Sequence, residues 1–493
     1  MKKFIIISII SNITFVGSVL AQTANDVMLF SRHYAGGTAR SMGMSGAFGA
    51  LGGDPSVMST NPAGLAVYRG SEFTITPNLN FNNTSAKFGN DNQTFNDNSV
   101  RFNFDNVGYV YTQNMHNQKG IRSFSIGFGY NRLGNFNSDA YVKRQTANSS
   151  MLDEFVYYAN RDEFDPFYEE LAWETAAIFK DGNEYINDYI EEGRYGQYLS
   201  RSMSTRGSIG EYCFSLGANI DNKLYFGATL GMQDIKFKQN YLHEEKPEGF
   251  DYLNYFKFND EYTVDGWGFN FKAGLIYRPI PILRVGAAIH TPSYLWMKPE
   301  HFTSMVTRWN ITPIENGGTY YDSDHYEYYE THTITTPWRY SFSAATVIGS
   351  IGIIDVDVEI VDYSTCKIAP RKHYDDLNDE VSSVLKTALN LKAGAEVRLG
   401  PLYLRGGVAY YGNPYNKDEI FDPIVKETLN HTMSYSAGIG FRNRDFYMDA
   451  AYSFMKHPES IYDLYMWDNG TKIEYARLQS NYNKVLITFG FRF

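Results

Sequence analysis

Two histidines, His325 and His332, close off the run His-Tyr-Glu-Tyr-Tyr-Glu-Thr-His and are the nearest approach in this sequence to a metal-binding pattern. A structural or catalytic metal needs three or four convergent ligands at ligand spacing, and this aromatic, acidic run reads better as an exposed loop, so no metal is assigned. Neither a Gly-x-Ser-x-Gly elbow, nor a His-Glu-x-x-His helix, nor a phosphate-binding loop occurs, so no catalytic residue and no cofactor are assigned. Cys213 and Cys366 are the only cysteines and make neither a disulfide framework nor a zinc motif, which leaves them as packing residues. Arg40, Arg69 and Arg101 are of the type that pairs with a ligand carboxylate, but an ordinary salt bridge accounts for any one of them. The net charge of −11, without a lysine or arginine stripe, excludes nucleic acid as a partner.

The elements that carry these residues read as strands in a membrane. Aromatic residues make up 16% of the 493, with 40 Tyr and 34 Phe, while mean hydropathy is only −0.38. Buried tyrosines each need a hydroxyl partner, whereas the two rims of a membrane barrel favour rings with one dry and one wet end. Lys2 and Lys3, the apolar stretch Phe4 to Val16, and Val19-Leu20-Ala21 form a cleavable signal peptide over 1–21. Beyond it no window reaches the run of about 20 apolar residues that a membrane helix requires. A chain that spans hydrocarbon without such helices must close into a barrel, because every backbone group has to be satisfied internally.

Alternation supports this. Val485, Ile487, Phe489, Phe491 and Phe493 oppose Leu486, Thr488, Gly490 and Arg492, and the same pattern recurs at Met433–Phe441, Phe446–Phe454 and Phe124–Tyr130. The second face is small and glycine-rich, which suits a solvated or plugged interior. The expectation is an all-β fold, a transmembrane antiparallel β-barrel of about 14 strands. The strands fall at 70–82, 99–113, 121–132, 208–220, 222–239, 260–278, 282–291, 331–349, 351–363, 386–399, 401–411, 432–442, 445–455 and 484–493. Tight turns such as Asp221-Asn222 and Gly400-Pro401 mark one rim. The stretches 133–207, 240–259, 292–330, 364–385, 412–431 and 456–483 become long extracellular loops. Within the first, Met151, Phe155 and Tyr158, then Phe167, Leu171 and Ile178, fall at helical spacing and predict one or two helices.

Residues 22–69 contain no strand pattern. They are rich in Gly, Ala, Ser and Met, with apolar anchors at Phe30, Tyr34, Met42, Phe48 and Leu51. A barrel of this size is not filled by its own side chains, so a compact N-terminal hatch inside the lumen is expected, ahead of a barrel domain at 70–493. Asn61 is placed to bond neighbouring backbone, with Pro62 fixing the turn after it.

The runs Ser41-Met42-Gly43-Met44-Ser45-Gly46-Ala47-Phe48, Asp54-Pro55-Ser56 and Asn61-Pro62-Ala63-Gly64-Leu65-Ala66 resemble the hatch of the FadL/TodX family of outer-membrane transporters for long-chain fatty acids and other hydrophobic compounds. Residues 286–294, Gly-Ala-Ala-Ile-His-Thr-Pro-Ser-Tyr, resemble the family's mid-barrel strand-to-loop segment. The resemblance implies passive uptake in the bacterial outer membrane. Ligand settles on an outer-loop groove, here Phe155, Phe167, Leu171 and Trp173, enters a pocket in the barrel, and leaves sideways. Asn61, Pro62, Ala63 and Gly64 would form the gating hatch, and Gly127, Gly129 and Gly134 the kink in the third strand that opens the exit. Partners are hydrophobic small molecules or lipids, outer-membrane lipid, and the barrel-assembly machinery through the C-terminal strand; the chain is expected to be a monomer. The alternative is an outer-membrane scaffold or shuttle that assists secretion or attachment of surface proteins, and the Tyr/Asn/Asp-rich loops fit it equally.

Overall fold

In the computed structural model, which describes residues 24–115, 119–161, 164–249, 252–314, 317–349, 351–420, 422–467 and 472–493, the chain closes into a 14-stranded antiparallel β-barrel. The signal peptide expected at 1–21 lies outside the described residues. The staves are β1 (Glu72–Phe88), β2 (Thr94–Asn114), β3 (Ile121–Asn135), β4 (Tyr198–Ile220), β5 (Leu224–Lys246), β6 (Leu253–Ile280), β7 (Leu283–His290), β8 (Arg339–Ile348), β9 (Gly352–Asp362), β10 (Thr387–Leu399), β11 (Leu402–Tyr411), β12 (Thr432–Arg442), β13 (Phe446–Lys456) and β14 (Lys472–Arg492). Each pairs with its neighbours in sequence, and β14 closes on β1 from Glu72↔Arg492 to Phe88↔Ala476. At the rim with short connections, Asp221 and Asn222 both take left-handed φ (54° and 56°), the geometry that matches the twist of a two-residue hairpin.

The two faces of the wall are inverted relative to a soluble protein. Along β1, Thr74, Thr76, Asn78, Asn80, Asn82 and Thr84 are buried, whereas Phe73 and Leu79 are exposed. On β14, Thr488 is buried while Val485, Ile487 and Phe491 are exposed. An apolar belt of this kind around a closed barrel is the surface that a bilayer covers.

The strand count and order agree with the alternation pattern, but several strands are longer than it indicates. Residues 240–259 and 292–330, expected as loops, are mostly paired strand. β5 runs on to Lys246, β6 begins at Leu253, and the strand Tyr294–Trp309 extends the line of β7 along β6 and forms a hairpin with Tyr320–Tyr328. The stretch 456–483 likewise holds the strand Ser460–Trp467 and the beginning of β14. Where a hairpin rises past hydrocarbon it loses the alternation of hydropathy, while backbone pairing continues unaffected.

Between β3 and β4 the chain forms three short helices, α3 (Met151–Ala159), α4 (Glu169–Glu174) and α5 (Asp188–Glu192), plus a small hairpin, rather than one or two helices. Ser150 starts α3 with a reciprocal capping box: its side chain accepts from Leu152 N, and Asp153 accepts from Ser150 N at 2.9 Å. Before β1 lie two helical segments, α1 (Ala24–Ser31) and α2 (Ala39–Met42), and two 3-10 turns, Pro55–Ser59 and Pro62–Val67.

Candidate functional site

The segment before β1 is built around short polar side chains that bond their own backbone. Asp54 caps the first 3-10 turn, accepting from Ser56 N at 3.0 Å, and also accepts from the Thr38 hydroxyl at 2.7 Å. Asn61 caps the second, accepting from Ala63 N at 3.2 Å, and its amide donates to Gly49 O at 2.7 Å, so one side chain ties together two bends twelve residues apart. Pro62 occupies the first position of that turn, where a missing N–H costs nothing. Gly64 packs so closely on Val57 and Gly52 that a Cβ would stand 2.8 Å from Val57.

This segment contacts strands on every side of the ring. The turns at 55–67 touch β2 to β6, and Ala39–Met42 touches β12, β13 and β14. Glycines make the fit. Added Cβ atoms at Gly227 of β5, Gly274 of β6 and Gly407 of β11 would run into Pro62 O, Asn61 Oδ1 and the Met44 backbone. Gly127 and Gly129 on β3 belong to this group: Met58 fills the space where their side chains would be, with its sulfur 2.8 Å from a Cβ built at Gly127.

Charged tethers supplement the fit. Arg40 pairs with Glu396 of β10 at 3.1 Å, and Glu396 is shared with Arg405 of β11 at 2.6 Å. Arg405 also meets Asp449 of β13 at 2.6 Å, and Arg442 meets the same carboxylate at 3.2 Å. Asp357 of β9 accepts from Phe48 N at 2.9 Å and from Gly49 N, and His290, within the 286–294 stretch, lies 2.6 Å from Thr60 O. Arg40 is thus committed to a carboxylate of the wall, Arg69 bonds Asn222 at the rim, and Arg101 is exposed on β2.

The wall itself is interrupted. β2 pairs with β1 along Thr94 to Val110, but its ladder with β3 runs only from Asn106↔Asn131 to Asn114↔Ser123. Just past this point the β3–β4 register shifts between Arg132 and Gly134. The following strand, Ser138–Arg144, pairs with β4 and leans inward onto β1, where Asn82 donates to Asn137 O at 2.9 Å. Among the described residues no ladder joins 94–105 to 132–144. Phe102 is 62% exposed at this break, and Arg132 Nε spans it to Phe104 O at 3.3 Å. Gly134 therefore stands at the irregularity, while Gly127 and Gly129 stand in regular ladder.

A cavity of about 630 Å³ lies beside the break. Its floor comes from the N-terminal segment (Met28, Leu29, Arg32, Tyr34), one side from Arg132 to Phe136, and its roof from residues between 413 and 463. The residues assigned to an outer-loop groove lie elsewhere. Phe155, Phe167 and Leu171 are 1%, 5% and 1% exposed within a core that includes Phe256, Phe258 and Trp309, and Trp173 lies exposed against Tyr185. Their helical spacing reports packing of α3 and α4 rather than an open surface. His325 sits edge-on to Phe167 at 4.4 Å, and Cys213 and Cys366 are buried free thiols. Among the described residues no group of three or more His, Cys, Asp or Glu side chains is placed to hold a metal. The cavity residues escaped sequence reading because Arg32, Leu133, Phe136 and His457 share no motif, and only the tertiary fold brings them together.

No protein-family model and no curated relative matches the sequence. Solved structures match in shape. A FadL homologue of Pseudomonas aeruginosa superposes with a TM-score of 0.53 at 13% identity, over 93% of this chain and 99% of that one. The P. putida toluene transporter TodX does so with 0.54 at 11% identity, over 94% and 99%. The closed barrel, its apolar belt and this shared architecture give the chain the fold of the FadL/TodX channels and place it in the bacterial outer membrane.

Proposed function

We propose that the protein is a channel for passive uptake of hydrophobic molecules across the outer membrane. The observation that carries this reading is the 630 Å³ cavity that abuts the unpaired stretch between β2 and β3. Its size is that of a small-molecule site, and a sideways path spares an apolar ligand the aqueous interior. In this reading 22–69 is the hatch, held shut by Asn61, Pro62, Ala63 and Gly64, and the break at Gly134 is the exit. The helical excursion between β3 and β4 lies outside the cell and braces the rim. The chain performs no catalytic step, works as a monomer, and uses β14 as its signal to the barrel-assembly machinery. The likeness to a FadL homologue and to a toluene transporter supports the class of cargo.

Uptake of labelled palmitate and toluene by a deletion strain, complemented with the native gene or with Phe136→Arg, tests the reading. Native protein restores uptake of at least one of them, and a charge planted in the cavity wall lowers it at least fivefold. Unchanged uptake together with loss of surface proteins from the deletion strain would instead establish the scaffold role.

A further inference from the structure

The cavity has two unlike walls. Along one lie Asn80 of β1, Ser480, Tyr482 and Lys484 of β14, and Ser453 and His457 at the end of β13. They form a continuous patch: Asn80 and Ser453 both pair with Lys484 in register, Tyr482 lies one row further along, and His457 N bonds Ser480 O in the row beyond. These rows make a surface about 13 Å long and about 10 Å wide, polar except where Met455 stands beside Tyr482. The facing wall is apolar, from Met28, Leu29, Leu133, Phe136 and Phe237, and lies across the ring against β5 and β6.

Some of the polar groups are free to receive a ligand. The His457 ring touches Tyr34 and Tyr482 edge-on, at 5.3 and 4.9 Å between centroids, and its ring nitrogens have no hydrogen-bond partner among the described residues. Arg32 has no carboxylate partner; its guanidinium lies over Tyr34 and reaches the Thr432 hydroxyl only at 3.4 Å. A single charged head group covers a few ångströms. The rest of the wall bonds within the protein, Lys484 to Asp105 at 2.7 Å, Asn80 to Asn78 at 2.8 Å and Ser480 to Thr84 at 3.3 Å, but its hydroxyls and amide keep further donor and acceptor capacity that the methylenes of a simple chain would leave unused.

We propose that the cavity selects an amphiphile whose polar groups are spread along one face of its body, in preference to a hydrocarbon or a chain with a single polar head. The proposal rests on the reading of this cavity as the ligand site. Such a ligand sets its polar face on β13, β14 and β1 and its apolar face on the aromatic side chains opposite.

Calorimetric titration of the full-length protein in lipid nanodiscs with cholate, 5β-cholanate and palmitate, each below its micellar concentration, tests this. All three carry one carboxylate, and cholate differs from cholanate only in its hydroxyl-bearing face. The expected result is binding of cholate at least tenfold tighter than of the other two, with that preference erased in the double variant Ser453→Val/Ser480→Val. If cholanate or palmitate binds as tightly as cholate, the facial preference is wrong while the cavity remains a ligand site. If none of the three binds, the reading of the cavity itself falls.

Discussion

Asn61 does two jobs with one side chain, and substitution separates them. Its oxygen caps the 3-10 turn at Ala63 N, and its nitrogen holds Gly49 O. Asn61→Asp keeps a good capping acceptor but sets a carboxylate against a buried carbonyl. Asn61→Ala loses both bonds. If the Gly49 bond is what closes the segment, Asp is at least as damaging as Ala, each by about 1–3 kcal/mol. Hydrogen exchange over residues 47–67 reads this directly; an Asp variant as protected as native protein would assign the residue to capping alone. Arg40 offers a contrast at the same scale. Arg40→Ala strips the segment of its ion pair, yet Glu396 keeps Arg405 at 2.6 Å, so no carboxylate is stranded in the wall. The expected outcome is faster proteolysis of the segment with unchanged heat-modifiable migration of the barrel.

Among the elements, the inward glycines and the helical excursion make separable predictions. A Cβ at Gly407 would overlap the Met44 backbone, which has no flexible end to swing aside. Gly407→Val is therefore expected to expel the segment or block assembly, whereas Gly406→Val, whose Cβ meets only Ser436 O at 3.9 Å, is expected to behave as native. Equal proteolytic protection of 36–66 in the two variants would contradict the fit. In the excursion, outside the barrel wall, burial pushes the Asp153 carboxyl up to about 6, although it accepts from Ser150 N and Asn187. The docked form therefore holds a proton that an undocked loop releases near 4. Docking is strongest below that value and weakens as pH rises through 6. Exchange protection of residues 150–160 is expected to be greater at pH 5 than at pH 7.5, and Asp153→Asn, which keeps an acceptor for Ser150 N, reduces the difference, leaving the share of Glu245, whose buried carboxyl accepts from Met151 N at 2.8 Å. These same elements divide what sequence reading resolves from what it does not. Alternation located β12, β13 and β14 to within a residue or so at their membrane part, because lipid on one side and a polar interior on the other force period 2. It does not reach the far halves of β5, β6 and β14, where no lipid faces the wall and Tyr241, Phe256, Phe258 and Ala476 are buried in the same core as the helical excursion. It found the helical spacing of Phe155 and Leu171, but periodicity only says that one face is covered and does not say by what.

For the whole molecule, the relation between wall and N-terminal segment decides what the barrel is worth without its contents. Fourteen staves enclose more space than their own side chains fill, and here several inward positions nearest the segment are glycines that leave room for its backbone. The ladders between neighbouring strands and the lipid around the belt both stabilise the barrel, and neither passes through residues 24–69. The turn at Asn61-Pro62-Ala63-Gly64 is legible in the sequence, but the glycines that pack against the N-terminal segment are scattered from Gly108 to Gly438 and acquire meaning only once the ring is closed. Wall and contents are thus expected to be thermodynamically separable. A variant lacking 22–69 should still insert, resist denaturation by detergent and show heat-modifiable migration. In planar bilayers it should pass steady ion current where the full chain passes almost none. Failure of that variant to fold would mean that the Arg40–Glu396–Arg405–Asp449 network and the backbone bonds to Asp357 hold the ring together from within. The segment would then be a structural core of the barrel and could not act as a gate.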